Sequence, residues 1–360
     1  MHMADALISP AVGGTMWVIS AGLIAWCARK VRQTLDDKLI PMMGVLGAFI
    51  FAAQMINFSI PFTGSSGHLG GGLILAILLG PWAAFLTISS VLTVQALFFA
   101  DGGLLALGCN IFNLGVFPAF IAYPIFYKAI VRNARGGPLL WVGAILAGVA
   151  GLQMGAFGVV METTMSGIAD LPFKTFVLVM QPIHLAIGVV EGLVTAAVVS
   201  FVFKARPVPM IEAAAASLEA RDLRRIVFGL LIVTVAVGCG LSWFASTRPD
   251  GLEWAMSRAS GNEEPERPVA GIYERLAKIQ EKTALMPDYG LKAVETAVAT
   301  TEPATKDKSA QWPAVSAGKS AAGLIGGLLT LVLAGLIGYA LRRCGSVKSE
   351  AARPFRPPHD

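Results

Sequence analysis

Charge is scarce in this chain of 360 residues: Asp, Glu, Lys and Arg together make up 14% of it, and apolar residues 55%. An ordinary soluble domain carries about 25% charge, so a soluble globular protein is excluded and an integral membrane protein is indicated. Cysteine is equally sparse. Cys27, Cys109, Cys239 and Cys344 are widely separated and form no CxxC pair, which argues against a disulfide framework and a thiolate metal site. No basic residue precedes the first apolar stretch, Val12 to Cys27; Asp5 stands before it, and Arg29, Lys30 and Arg32 follow it. That is the reverse of secretory polarity, so residues 1–30 are read as retained structure with a translocated amino terminus. There is no strong internal repeat, a feature on which many secondary transporters are built. A phosphate-binding loop is also missing. Ala317-Gly318-Lys319-Ser320 imitates its end, but Pro313 stands where the upstream glycine belongs and no strand precedes it. The chain therefore carries no recognisable ATPase motif, and its modest net charge of +5 gives no reason to expect a nucleic acid partner.

What is present is a series of apolar runs. With about 20 residues needed to span a bilayer, the candidates are 12–28, 39–58, 69–80, 82–99, 103–127, 138–161, 176–203, 226–246 and 321–341. Short loops rich in Lys and Arg mark the cytoplasmic side. Such clusters follow the first, fifth, seventh and ninth runs, whereas 59–68 and 100–102 contain neither residue. One topology satisfies all of them, with the amino terminus extracytoplasmic and the carboxyl terminus cytoplasmic, in a multi-pass protein of the bacterial inner membrane. The expected fold is all-α: a seven-helix block over 1–205, a cytoplasmic connector over 206–225, and a part over 226–341 whose two transmembrane helices flank an extracytoplasmic region, 247–320. Residues 342–360 form a cytoplasmic tail.

The histidines carry the chemistry. His359 sits in a polar tail, but His2 and His68 both fall on the extracytoplasmic face, His68 within the Gly/Ser-rich stretch NFSIPFTGSSGHLGGG. Either alone reads as a loop histidine; on one face they form a candidate pair. The amine of Met1, the amide joining residues 1 and 2, and the His2 ring can reach one ion and close two fused chelate rings. His68 would complete a square of nitrogens, the geometry of Ni(II) or Cu(II). Zinc favours a tetrahedral site, and calcium and magnesium require oxygen ligands. The expected ion is Ni(II), with Co(II) next, carried as substrate and without an organic cofactor.

Other polar residues interrupt the apolar block: Gln54, Asn57, Gln95, Asp101, Asn110, Asn113, Gln153, His184 and Glu191. Ionisable groups in spans are costly and functional by default. His184 and Glu191, seven apart, share a helical face and read equally as an internal polar pair or as direct participants. Asp101, Asn110 and Asn113 lie where they could orient His68.

The start MHMADALISP, the loop SSGHLGGGLILAILLGPWAAFLTISSVLTVQALFFADGG and the segment QPIHLAIGVVEGLVTA together resemble the substrate-binding M subunit of energy-coupling-factor nickel/cobalt transporters, over roughly residues 1–205. TRPDGLEWA resembles the PDGLE-type N subunit, so the chain looks like the fused M–N form. The resemblance implies a metal held by the amine of Met1, the backbone and ring nitrogens of His2, and His68. It also implies two kinds of partner, a membrane coupling subunit and cytoplasmic ATPase subunits. Two other classes compete: a membrane metalloenzyme, for which no acid/base pair stands near His2 and His68, and a passive channel, which needs no chelating amino terminus.

Overall fold

The structure, a computed structural model, describes residues 2–34, 38–132, 137–204, 220–261, 271–290, 313 and 315–351. The connector expected over 206–225 falls largely outside them, as do Met1 and the end of the tail expected over 342–360. The chain is an all-α integral membrane protein. Its helices are α1 (Pro10–Thr34), α2 (Leu39–Gln54), α3 (Gly72–Leu79), α4 (Pro81–Phe98), α5 (Leu107–Val131), α6 (Pro138–Ser166), α7 (Phe173–Lys204), α8 (Ala220–Cys239), α9 (Gly251–Ser260), α10 (Ile272–Thr283) and α11 (Ala317–Ala351). Strands β1 (Phe58–Ser59) and β2 (Ser66–Gly67) pair antiparallel between α2 and α3.

Seven helices among the described residues are long and apolar enough to cross a membrane, where the hydropathy runs suggest nine. The run at 39–58 ends as a helix at Gln54 after 16 residues, and the run at 69–80 yields the eight residues of α3. The reason for the second lies in the preceding loop. Residues 56–71 fold back into the body of the protein beside α7, where Gly67 meets Ile187 and the Gly70 and Gly71 amides meet Glu191. Non-helical backbone at that depth is tolerated only when protein satisfies its polar groups, and α3 has only the remaining height to climb. Gly80 and Pro81 then turn the chain into α4, with Pro81 in the first helical turn. Within α5 a π-helical stretch runs over Phe112–Lys128 and contains Pro118 and Pro124, neither of which has an N–H to donate.

Small residues set the closest helix approaches. On α7, Gly188 and Gly192 face the backbone of α6 at Val149 and Ile145. On α11, Gly323 faces Gly238 of α8, and Gly327 faces Ala48 and Thr234. These two glycines of the last span thus serve packing within the chain. Helices α8 and α11 both lie against α2, α9 packs on α7, and α10 on α4. The carboxyl-terminal part is therefore seated directly on the amino-terminal block.

Candidate metal centre

The chain begins by tucking inward. Met3, Leu7 and Ile8 are wholly buried, and three polar anchors fix the segment between them. Asp5 Oδ1 accepts the N–H groups of Leu105 (2.8 Å) and Ala106 (3.0 Å). Asn110 accepts the Met3 N–H at 2.8 Å and donates to the Met3 carbonyl at 3.3 Å. Gly103 N–H donates to the same carbonyl at 2.9 Å. A side chain at Gly103 would collide with the Asp5 carboxyl and amide, so the close approach needs glycine.

This grip delivers His2 to His68. The rings are parallel within 3° with centroids 4.9 Å apart. His68 Nδ1 lies 3.1 Å from the Leu69 carbonyl. A carbonyl can only accept, so Nδ1 carries the proton and Nε2 presents its lone pair. Burial holds the His68 ring unprotonated, with its pKa lowered to about 3. His2 Nδ1 lies 3.1 Å from Asp101 Oδ1, while His2 Nε2 is buried without a hydrogen-bond partner. Burial alone would raise the Asp101 carboxyl; contact with His2 and a hydrogen bond from Tyr289 outweigh it and hold the group well below the usual carboxylate range. Tyr289 donates to Asp101 Oδ2 at 2.5 Å. Burial, and then the Asp101 charge, push its phenol well above the ordinary value.

A polar chain ties the two histidines from behind. Gln95 Nε2 donates to Gln54 Oε1 (2.9 Å) and lies 3.4 Å from the Tyr289 hydroxyl, and Gln54 Nε2 donates to the Gly70 carbonyl at 2.8 Å. Glu191 accepts the N–H groups of Gly70 (2.8 Å) and Gly71 (2.9 Å), fixing the backbone just past His68. His184 does not join Glu191. Its Nδ1 donates to the Met180 carbonyl at 2.9 Å, and its Nε2 is buried with no hydrogen-bond partner. Asn113 is also elsewhere: it donates to Glu162 at 2.6 Å, and both line a separate groove of about 500 Å³ between α1, α5 and α6. Of the sequence candidates, then, His2, His68 and Asp101 converge, Asn110 and Glu191 hold their backbone, and Asn113 and His184 stand apart from the ring pair. Met1 lies outside the described residues. Among the described residues no group of three or more His, Cys, Asp or Glu side chains is placed to hold a metal ion by itself.

The carboxyl-terminal part closes over this centre. Asp250 caps α9, accepting from the Leu252 and Glu253 amides at 2.8 Å, while Glu253 returns a contact to the Asp250 N–H. This capping box turns the other carboxylate oxygen towards His68 Nε2, 3.8 Å away. Ser66 N–H donates to the Pro249 carbonyl, Ser246 N–H to Asn57, and the amides of Leu285 and Asp288 to Phe98 and Phe99. Tyr273 donates to the Ile8 carbonyl at 2.9 Å. The result is a vestibule of about 270 Å³ above the two histidines, with Asp101, Asp250, Glu253 and Asp288 in its wall against one Lys319. Sequence reasoning named neither Asp250 nor Tyr289 as site residues. The DGLE capping box was visible, but nothing local told that it abuts a loop 182 residues earlier.

Comparison with known proteins follows the same division. Residues 2–209 match the model for the cobalt uptake substrate-specific transmembrane region, and residues 224–343 that for the PDGLE domain. A putative fused nickel transport protein of Archaeoglobus fulgidus is 32% identical over 352 residues, covering 95% of this chain and 98% of its own. The fused nickel transport protein of Rhodobacter capsulatus is 30% identical, covering 82% and 90%. The crystal structure of a transition metal transporter, 28% identical, superposes with a TM-score of 0.51 over 60% of this chain and 98% of that one. This chain belongs to the cobalt uptake substrate-specific transmembrane family and carries a PDGLE domain in the same polypeptide, the fused M–N arrangement.

Proposed function

We propose that this protein captures Ni(II), with Co(II) as the second ion, at its extracytoplasmic face and passes it inward within an ATP-driven importer. Relatives named as nickel or cobalt transport proteins support this reading. The observation that carries the finer reading is the parallel pair of His2 and His68 rings beside a tightly pinned amino terminus. In this reading the donors are the Met1 amine, the amide between Met1 and His2, a His2 ring nitrogen and His68 Nε2. Of the two His2 ring nitrogens, only Nδ1 is near enough along its side chain to close a chelate ring with its own amide. Loading therefore exchanges the Asp101 contact at Nδ1 for the metal as the Nδ1 proton moves to the unpartnered Nε2, and the released carboxylate stays beside the ion as a counter-charge.

The basic clusters after α1, α5, α7 and α11 support an extracytoplasmic amino terminus. The acidic vestibule supports cation capture from that side. Residues 1–205 act as the metal-binding block and 226–341 as its cover, with the connector 206–225 and the tail 342–360 on the cytoplasmic side. Energy comes from a membrane coupling subunit and cytoplasmic ATPase subunits.

The test is direct. Adding residues ahead of Met1, or His2→Ala or His68→Ala, should abolish the planar low-spin Ni(II) absorption and cellular nickel uptake while helix content is unchanged. Normal nickel binding by the extended chain would falsify the chelate.

A further inference from the structure

The His184 imidazole is wholly buried in α7, and its tautomer is fixed by Met180 so that the lone pair on Nε2 faces away from the carbonyl with no partner. It lines a small cavity of about 10 Å³, with His68 and Asp250 also in the wall. A space of that size holds one water-sized occupant. Gly251 lets the start of α9 press against this ring: a Cβ there would stand 3.2 Å from His184 Cε1 and 3.0 Å from Ile187. His68 shows the same arrangement, with Nδ1 on a carbonyl and Nε2 turned to Asp250. A histidine that donates one ring N–H to a carbonyl and offers the other nitrogen is arranged as metal ligands are. The two imidazoles and the carboxylate line one cavity without forming a compact shell in this conformation.

The chelate leaves a chemical need that this arrangement meets. Its amide nitrogen binds only after losing a proton, which a hydrated ion in free solution does not readily remove. A position built from neutral imidazole nitrogens and an ionised carboxylate asks for no deprotonation near neutral pH. We propose that His184 Nε2 and Asp250, sharing His68, form a second metal position that holds a divalent cation of the Co(II) or Ni(II) class before it enters the planar site. The donor set of two imidazoles and one carboxylate suits four-coordinate, non-planar binding completed by water. The step is a ligand exchange: the ion leaves the His184 and Asp250 donors, keeps His68, and gains the amine, amide and His2 nitrogens as the amide proton and any ammonium proton pass to solvent and the His2 Nδ1 proton shifts to Nε2. This rests on the planar-site reading above, and the experiment separates the two.

Co(II) is titrated into the full-length protein carrying extra residues ahead of Met1, which blocks the chelate. The extended chain should show the intense blue absorption of four-coordinate Co(II), and His184→Gln in that background should remove it. In the unextended protein, His184→Gln should slow the appearance of the planar Ni(II) band at least tenfold and leave its final amplitude unchanged. Asp250→Asn, which keeps the helix cap, should also slow it. Absence of the blue species in the extended chain, or loading of both variants at the parent rate, overturns the second position. A planar Ni(II) band in the extended chain instead sinks the planar-site reading itself.

Discussion

Asp101 stands at the junction of both halves of the chain, between a ring nitrogen of His2 and the hydroxyl of Tyr289. Once displaced from His2, the Asp101 carboxylate acts on the ion as a counter-charge, and removing a charge that faces a cation in a partly buried site costs at least about tenfold in affinity. Asp101→Asn should therefore lower nickel affinity about tenfold or more, and Tyr289→Phe, which frees the carboxylate to turn away, should lower it by less, as measured by competition with a chelator of known strength. Had Tyr289 only a packing role, the phenylalanine would bind as the parent does. Proton balance gives a second check at this scale. A site of neutral imidazoles gains nothing as pH rises from 7 to 8. The chelate loses its amide proton, and part of its amine proton since that group titrates at about 8. His68 contributes no proton in this range, because burial keeps it unprotonated down to about 3. The logarithm of nickel affinity should thus rise with a slope between one and two across this interval; a flat profile would remove the amide and amine from the ligand set.

At the level of elements, the loop between α2 and α3 owes its position to a buried carboxylate. Glu191 accepts two backbone N–H groups, at Gly70 and Gly71. Glu191→Gln leaves one acceptor oxygen and turns an amide N–H against the other donor. A buried unsatisfied donor costs about 1–3 kcal/mol. The variant should keep its helix content, show faster amide exchange at both glycines and bind nickel more weakly; unchanged exchange would mean that Glu191 is not what holds the loop. The sequence shows why parts of this were readable and others not. The long apolar runs gave α4 to α7 directly, because span length is a property of consecutive residues. Loop charge brought His2 and His68 to one face for the same reason. Helix α3 was overestimated because hydropathy cannot tell a full crossing from a short helix that starts inside the protein. Glu191 was visible as a costly residue in a span, but its two amide partners lie 120 residues earlier in the chain. Asp250 and Tyr289 reach the centre across 182 and 188 residues, and no local pattern encodes such pairings.

For the molecule as a whole, the carboxyl-terminal part is held by contacts that do not pass through the connector. Backbone hydrogen bonds join Ser66 to Pro249, Ser246 to Asn57, and Leu285 and Asp288 to the end of α4. Helices α8 and α11 pack on α2, with Gly238 and Gly323 in close apposition. Such an interface should survive cleavage of the chain. Expressed as two polypeptides, 1–209 and 224–343, with the tag at the carboxyl end to leave Met1 untouched, the halves should co-purify with nickel bound. Residues 2–209 by themselves match one family model, so the first polypeptide should fold on its own and retain the planar Ni(II) band. Without its cover, however, the vestibule wall loses Asp250, Glu253, Asp288 and Tyr289, and Asp101 loses its phenolic partner. Nickel release from 1–209 should accelerate about tenfold or more, in line with loss of an orienting partner, and adding back 224–343 should slow it again. Equal release rates with and without the second polypeptide would reduce the PDGLE domain to a role away from the metal, despite Asp250 standing 3.8 Å from His68.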